Sequence, residues 1–178
     1  MFGPDGCTIL VASVAAALGW ALGPPGYWCT ATLLNRVNPG RRVPLSIRTK
    51  TILERCYRPA FPDVDLERVR LRCGARFPGV PIRPAGMTLE YTIFLRQPAF
   101  PECEPGAMLL LLHELVHVAQ FVRGTRKGFA REYASGLVRY LSYYAHPLER
   151  EARAFTESRA ADVSQALAEV CGDTDIIG

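Results

Sequence analysis

The chain has 178 residues, of which 49% are hydrophobic and 21% charged, enough for one soluble globular domain that buries its core without cross-links. Lysine and arginine total 21 against 17 acidic residues, a net charge of +4; the arginines, which are all of the basic residues except Lys50 and Lys127, are scattered. So small and dispersed an excess speaks against a nucleic-acid partner.

The first element is an apolar segment from Thr8 to Leu22, inside a stretch from Gly6 to Asn35 that carries no charge. It is shorter than the ~20 residues of a spanning helix and lacks the basic start of a secretory signal. Three readings follow: a core helix, an atypical signal or anchor that would associate residues 8–22 with a membrane, or the remnant of a longer segment that starts upstream. Gly23-Pro24-Pro25-Gly26 reads as a linker, dividing an N-terminal segment, 1–35, from a domain of residues 36–178. Six cysteines, Cys7, Cys29, Cys56, Cys73, Cys103 and Cys171, include no Cys-x-x-Cys, which argues against a zinc ribbon or a thioredoxin-like site. The even count permits three disulfides and requires none. The compartment stays open between exported, membrane-associated and cytoplasmic.

Residues 36–45 read as loop, and Ser46 as the cap of a short helix carrying Ile47, Ile52, Leu53 and Cys56, ended by Arg58-Pro59. A strand is expected from about Arg68 to Cys73, with Val69, Leu71 and Cys73 on one face and Arg68, Arg70 and Arg72 on a basic face read as solvated. A second strand runs from Met87 to Arg96, alternating from Met87 to Leu95 except at Phe94. Pro98, Pro101 and Pro105 mark a loop. Pro105 then suits the first position of a helix that should run to about Arg123, where Gly124 stops it.

That helix carries Leu109-Leu110-Leu111-Leu112-His113-Glu114-Leu115-Val116-His117-Val118-Ala119-Gln120-Phe121-Val122. So apolar a helix should be buried nearly all round, and a carboxylate beside two imidazoles is costly there unless something offsets the lost hydration. A metal ion would. The His-Glu-x-x-His spacing sets His113 and His117 about 40° apart and one turn apart, so that both rings reach one cation, while Glu114 stands beside them as a base for water. The chain has three histidines, and two lie in this motif. Gln120, one turn on from His117, reads equally as an orienting group or as a buried amide.

A further helix is expected from about Gly128, with Phe129, Tyr133, Leu137, Leu141 and Tyr144 on one stripe; its tyrosines read mostly as packing. A last helix should begin at Pro147 and continue towards Val170, followed by a loose tail.

A catalytic zinc ordinarily takes three protein ligands. A ligand two turns beyond His117 is ruled out, because Gln120 and Arg123 occupy the positions of a His-x-x-Gly-x-x-His arrangement. Glu149 and Glu151 remain, about 200° apart on the last helix. Glu149 falls with Ala152, Thr156, Ala160, Val163 and Leu167, whereas Glu151 falls with Ser158, Asp162, Gln165 and Glu169 on the side that should meet water. Glu149 is the better ligand, and His146 is a fallback.

His113-Glu114-x-x-His117 with the downstream Glu149-x-x-Ala152 resembles the zincin metallopeptidases of the glutamate-ligand branch, the gluzincins. Residues 60 to 157, in particular "GMTLEYTIFLR", "LLLLHELVHVAQF" and "HPLEREARAF", are most similar to small bacterial zincin-like domains. The resemblance implies an α+β, zincin-like fold, mainly helical, with a small sheet whose edge strand, here 87–96, lies over the motif helix and pairs with an extended peptide. It implies Zn2+ held by His113, His117 and Glu149, with Glu114 as general base. Many such enzymes carry Asp or Asn four residues after the ligand glutamate, where this chain has Arg153. The expectation is a zinc-dependent peptidase acting on a peptide or protein substrate, with Tyr140, Tyr143 and Tyr144 as candidate oxyanion donors. The alternative is a zinc-bound, non-catalytic binding or structural module of a larger assembly.

Overall fold

The protein is described from a computed structural model, which covers residue 21 and residues 23–39, 41–77, 84–140 and 144–172. The apolar segment up to residue 20, together with Leu22, Leu141, Tyr143 and residues 173–178, lies outside them. The described chain is mixed α and β and mostly helical, with six helices and one four-stranded sheet.

Residue 21 is helical and residues 23–37 form the described run, α1, so Gly23-Pro24-Pro25-Gly26 lies in a helix where the dipeptide pattern predicts a linker. Strand β1 (Val43–Pro44) is followed by α2 (Ile47–Cys56), whose cap, Ser46, accepts from the Thr49 amide as expected. Strand β2 covers Arg70–Arg72 only, because Leu66–Arg68 forms a 3-10 turn. The single strand expected over 87–96 is a hairpin, β3 (Gly86–Leu89) and β4 (Thr92–Leu95), reversing at Glu90, whose φ is +56°. Glutamate at a left-handed position is an unusual choice, and it hides the turn from a pattern search.

The sheet order is β1-β2-β4-β3, with β2 and β4 parallel and the outer pairs antiparallel. The hairpin explains Phe94. Gly86 pairs with Leu95 and Thr88 with Ile93 on one face, while Met87 pairs with Phe94 and Leu89 with Thr92 on the other. Ile93 and Leu95 join the main core with Ile52 and Leu53 of α2. Phe94 and Leu89 join a smaller core with Phe77 and Leu34 of α1. The sheet is therefore apolar on both faces and covered on both. Arg72 correspondingly is not on a solvated face: it is buried, its guanidinium 5.5 Å from the centre of the Phe94 ring.

The motif helix is α3 (Pro105–Arg123), with the predicted bounds, capped by the Glu104 carboxylate on the amides of Gly106 and Ala107. Leu111, Leu112, Leu115, Val116 and Val118 are wholly buried, and the Tyr57 hydroxyl at the end of α2 donates to the Leu115 carbonyl at 2.7 Å. α4 (Arg126–Tyr140) follows. The single last helix expected from Pro147 is two, α5 (Pro147–Ser158) and α6 (Ala160–Gly172), separated at Arg159. A disulfide, Cys103–Cys171, ties the loop before α3 to the last turn of α6, while Cys29, Cys56 and Cys73 are free.

Candidate metal centre

Helix α3 presents His113 and His117 one turn apart, and α5 brings Glu149 to them in its first turn. His113 Nε2 lies 3.3 Å from Glu149 Oε2, and His117 Nε2 lies 3.5 Å from Glu149 Oε1. One ligand atom from each of the three lies within 4.8 Å of the others. The helical projection thus selects the carboxylate that the structure brings to the histidines. Glu149 is 2% exposed and the His117 side chain 7%, while His113 is more open at 16%, so solvent approaches the trio from the His113 side.

Glu114 stands beside them, also buried. Thr88 of β3 donates from Oγ1 to its Oε2 at 2.7 Å. A Cβ on Gly86 would lie 2.6 Å from its Oε1, so only glycine lets the strand pass this close. β3 is an edge strand, paired with β4 alone, and it lies over the motif helix as the resemblance implies, although it spans only 86–89.

Burial raises the pKa of Glu114, opposed by the neighbouring His117, by the Thr88 hydrogen bond and by His113. For His117 burial alone would depress the pKa; the hydrogen bond to Glu149 and the charges of Glu114 and Glu149 outweigh it and lift the ring to about 9. Without a metal, the two carboxylates thus keep a proton on the buried His117 ring. A dication with both carboxylates ionised and both imidazoles neutral leaves the cluster with no net charge, and two imidazoles plus a carboxylate are a donor set suited to zinc. The residues present fit the ion.

Gln120 holds the arrangement together. Its Oε1 is 2.8 Å from His117 Nδ1, and its Nε2 donates to the Leu148 carbonyl at 2.9 Å and to Glu151 Oε2 at 3.0 Å. The two donor contacts fix the amide's orientation, which makes Oε1 the acceptor and holds a proton on Nδ1, so that in the neutral ring the Nε2 lone pair is the one that faces a metal. Glu151, expected as a solvated charge, bridges Gln120 and Arg123 at the rim. Arg153 turns the other way, to the Tyr144 carbonyl and ring; the acceptor at His117 Nδ1 is Gln120.

His146 is no ligand. It caps α5, accepting from the Leu148 amide at Nδ1 (3.2 Å), with Nε2 3.0 Å from the Tyr133 carbonyl. A Cβ at Gly136 would lie 2.2 Å from that Nε2, so α4 meets His146 through a glycine. Tyr133, stacked on His146 with centroids 4.6 Å apart, donates from its hydroxyl to Glu149 Oε1 at 3.3 Å. Burial raises its pKa, so it stays a donor. Of the tyrosines named from the sequence as oxyanion donors, Tyr140 and Tyr144 are exposed and Tyr143 lies outside the described residues. Among the described residues Tyr133 is the tyrosine whose hydroxyl reaches the site, and its position on the same helical stripe as Phe129 was the signal for it.

Compared with known proteins, the chain matches no family model, no curated protein and no solved structure.

Proposed function

We propose that this protein is a zinc-dependent peptidase of the gluzincin type, with a zincin-like fold, in which His113, His117 and Glu149 hold the ion and Glu114 is the general base. The observation that carries the reading is the convergence of Glu149 on the two histidines, at 3.3 and 3.5 Å, with a separate buried carboxylate next to them. A purely structural site has no use for that second carboxylate.

Zinc bound there supplies a Lewis acid that polarises a carbonyl and lowers the pKa of water from 15.7 to about 7. The chain's own residues do the rest. Glu114, its basicity raised by burial, takes the proton of the attacking water and delivers it to the leaving amine. Thr88 holds one of its oxygens, and Gly86 gives the other room. The backbone of β3 on its outer edge offers hydrogen bonds to an extended peptide, which strand addition would lay beside Glu114. Tyr133 donates to the Glu149 oxygen that faces His117.

The test compares wild type with Glu114→Ala for bound zinc and for cleavage of a diverse peptide mixture. Equal zinc in both, with cleavage by wild type alone and a loss of roughly 10²- to 10⁴-fold in the variant, is expected. Stoichiometric zinc without cleavage by either would make this a zinc-bound binding module instead. Absence of metal from both would overturn the site.

A further inference from the structure

We propose that Arg72 and Arg42 form a binding site for a phosphate group, free or carried by a small organic ligand, on the face of the sheet that α1 covers. The metal ligands lie beyond the other face, where Gly86 and Thr88 meet Glu114. Leu71 belongs to the main core, so its neighbour Arg72 turns to the opposite face, that of Phe94. The register supplies the second arginine. Val43 pairs with Leu71 and Pro44 with Arg70 in the antiparallel β1–β2 ladder, and one step further along sets Arg42 opposite Arg72 on the same face. The Asn35 side chain of α1, its own Nδ2 held by the Ala31 carbonyl at 2.9 Å, accepts from Arg42 Nη2 at 2.6 Å and keeps that arginine towards α1.

Like charges directly opposite on neighbouring strands repel, and one of these two is also withdrawn from water. Arg72 is 8% exposed, and its Nε and Nη1 are buried without a hydrogen-bond partner. A guanidinium keeps its proton, so its lost hydration is offset only by acceptors or by an anion. The Phe94 ring, at 5.5 Å, recovers only part of it. Burial and the Arg42 charge both push the Arg72 pKa down, and no carboxylate acts against them.

The elements around this face supply no counter-charge. Neither α1 nor any of the four strands contains aspartate or glutamate. Glu90 turns the hairpin at the end of the sheet where Thr92 pairs with Arg70, away from Arg72. Helix α4, which bears Glu132, meets α1 at Gly23, about 18 Å along the helix from Asn35. The charge count then selects the ligand. Guanidinium groups present N–H donors in a fork that suits oxyanions; a phosphate dianion neutralises both arginines, whereas a carboxylate leaves one charge unpaired. Arg42 is exposed, which gives the anion its approach.

The test is isothermal titration calorimetry of the full chain, freed of metal so that phosphate finds no ion at the histidines. Inorganic phosphate, methyl phosphate and acetate are compared at matched ionic strength. Saturable binding of one phosphate per chain, tighter than acetate, is expected. Tighter binding of methyl phosphate than of inorganic phosphate assigns an ester as the ligand, and the reverse assigns free phosphate. Arg72→Met, which keeps an apolar stem on Phe94, and Arg42→Gln, both checked for fold by circular dichroism, should each weaken phosphate binding roughly tenfold or more. Phosphate should also raise the urea midpoint of wild type and not that of Arg72→Met. Absence of saturable phosphate binding overturns the proposal. So does acetate that binds as tightly as phosphate, or a folded variant of either arginine that binds phosphate like wild type. Should Arg72→Met fail to fold, Arg42→Gln, whose side chain is at the surface, decides.

Discussion

Gln120→Met removes both polar atoms of one buried side chain while nearly keeping its length, and it tests the argument that this amide sets the metal site. Three contacts disappear together: the acceptor of the His117 Nδ1 proton at 2.8 Å, and the donors to Leu148 and Glu151 at 2.9 and 3.0 Å. Gln120 is only 5% exposed, so water does not take its place. The imidazole would then be free to turn and to change tautomer, and the first turn of α5, which carries Glu149, would lose its tie to α3. Loss of an outer partner of a ligating histidine costs about 10- to 100-fold in metal affinity, or about 1.4–2.7 kcal/mol. Because one residue here serves both the histidine and the helix of the third ligand, the expected loss lies at the upper end. Competition between the protein and a chromophoric zinc chelator measures it directly. Gln120→Glu, which keeps an acceptor but sets a second carboxylate against Glu151, should fall between wild type and Gln120→Met. A Gln120→Met protein that binds zinc as tightly as wild type refutes the assignment.

The remaining predictions concern charge, packing and covalent structure. With its pKa lifted to about 9, His117 is protonated in the folded metal-free protein at neutral pH. Its contribution to stability is full below the unfolded value of about 6.5 and is lost as pH rises through about 9. Zinc must displace that proton, so apparent affinity should rise about tenfold per pH unit up to about pH 9; calorimetry in buffers of different ionisation enthalpy should register proton release, and its absence between pH 7 and 8 contradicts the pairing. Gly136→Ala drives a methyl group onto His146 and should cost about 1–3 kcal/mol in urea unfolding while weakening zinc binding through the displaced cap of α5; unchanged zinc affinity would separate the cap from the site. Reducing Cys103–Cys171, which closes a sequence separation of 68 residues, should cost up to about 4 kcal/mol by the chain-entropy argument, read from the urea midpoint with and without reductant.

What was legible in the sequence divides along a physical line. Features fixed by local periodicity and capping were readable: Ser46 and Pro105 begin helices, Gly124 ends the motif helix, and the 100° projection separates Glu149 from Glu151. These depend on neighbours a few residues away, for Glu149 on Ala152 and Thr156 of α5, since the part of the projection beyond Arg159 runs into a separate helix. Features decided by what packs on the far side were not. The alternation from Met87 to Leu95 fits one long strand as well as a hairpin, because a two-residue turn preserves the period of two; only the second core beneath Phe94, partly built from α1, distinguishes them. The same limit explains Arg72, whose basic-face reading assumed water where the Phe94 ring lies. It explains the site most sharply. His146 offers the chemistry of a ligand, and the sequence alone cannot say that its ring is already committed at both nitrogens, to Leu148 and to Tyr133. Gln120 and Tyr133 lie 29 and 16 residues from Glu149 in opposite roles, one holding the histidine and the other the carboxylate. Gln120 stands one turn beyond His117 in α3, so its orienting role was one of two readings open to the sequence, decided only by its contacts with Leu148 and Glu151 of α5; the role of Tyr133 has no spacing rule, since it depends on where α4 and α5 settle against α3. The metal ligands can be found by geometry internal to helices, whereas the contacts between helices that hold them in place are settled only by packing.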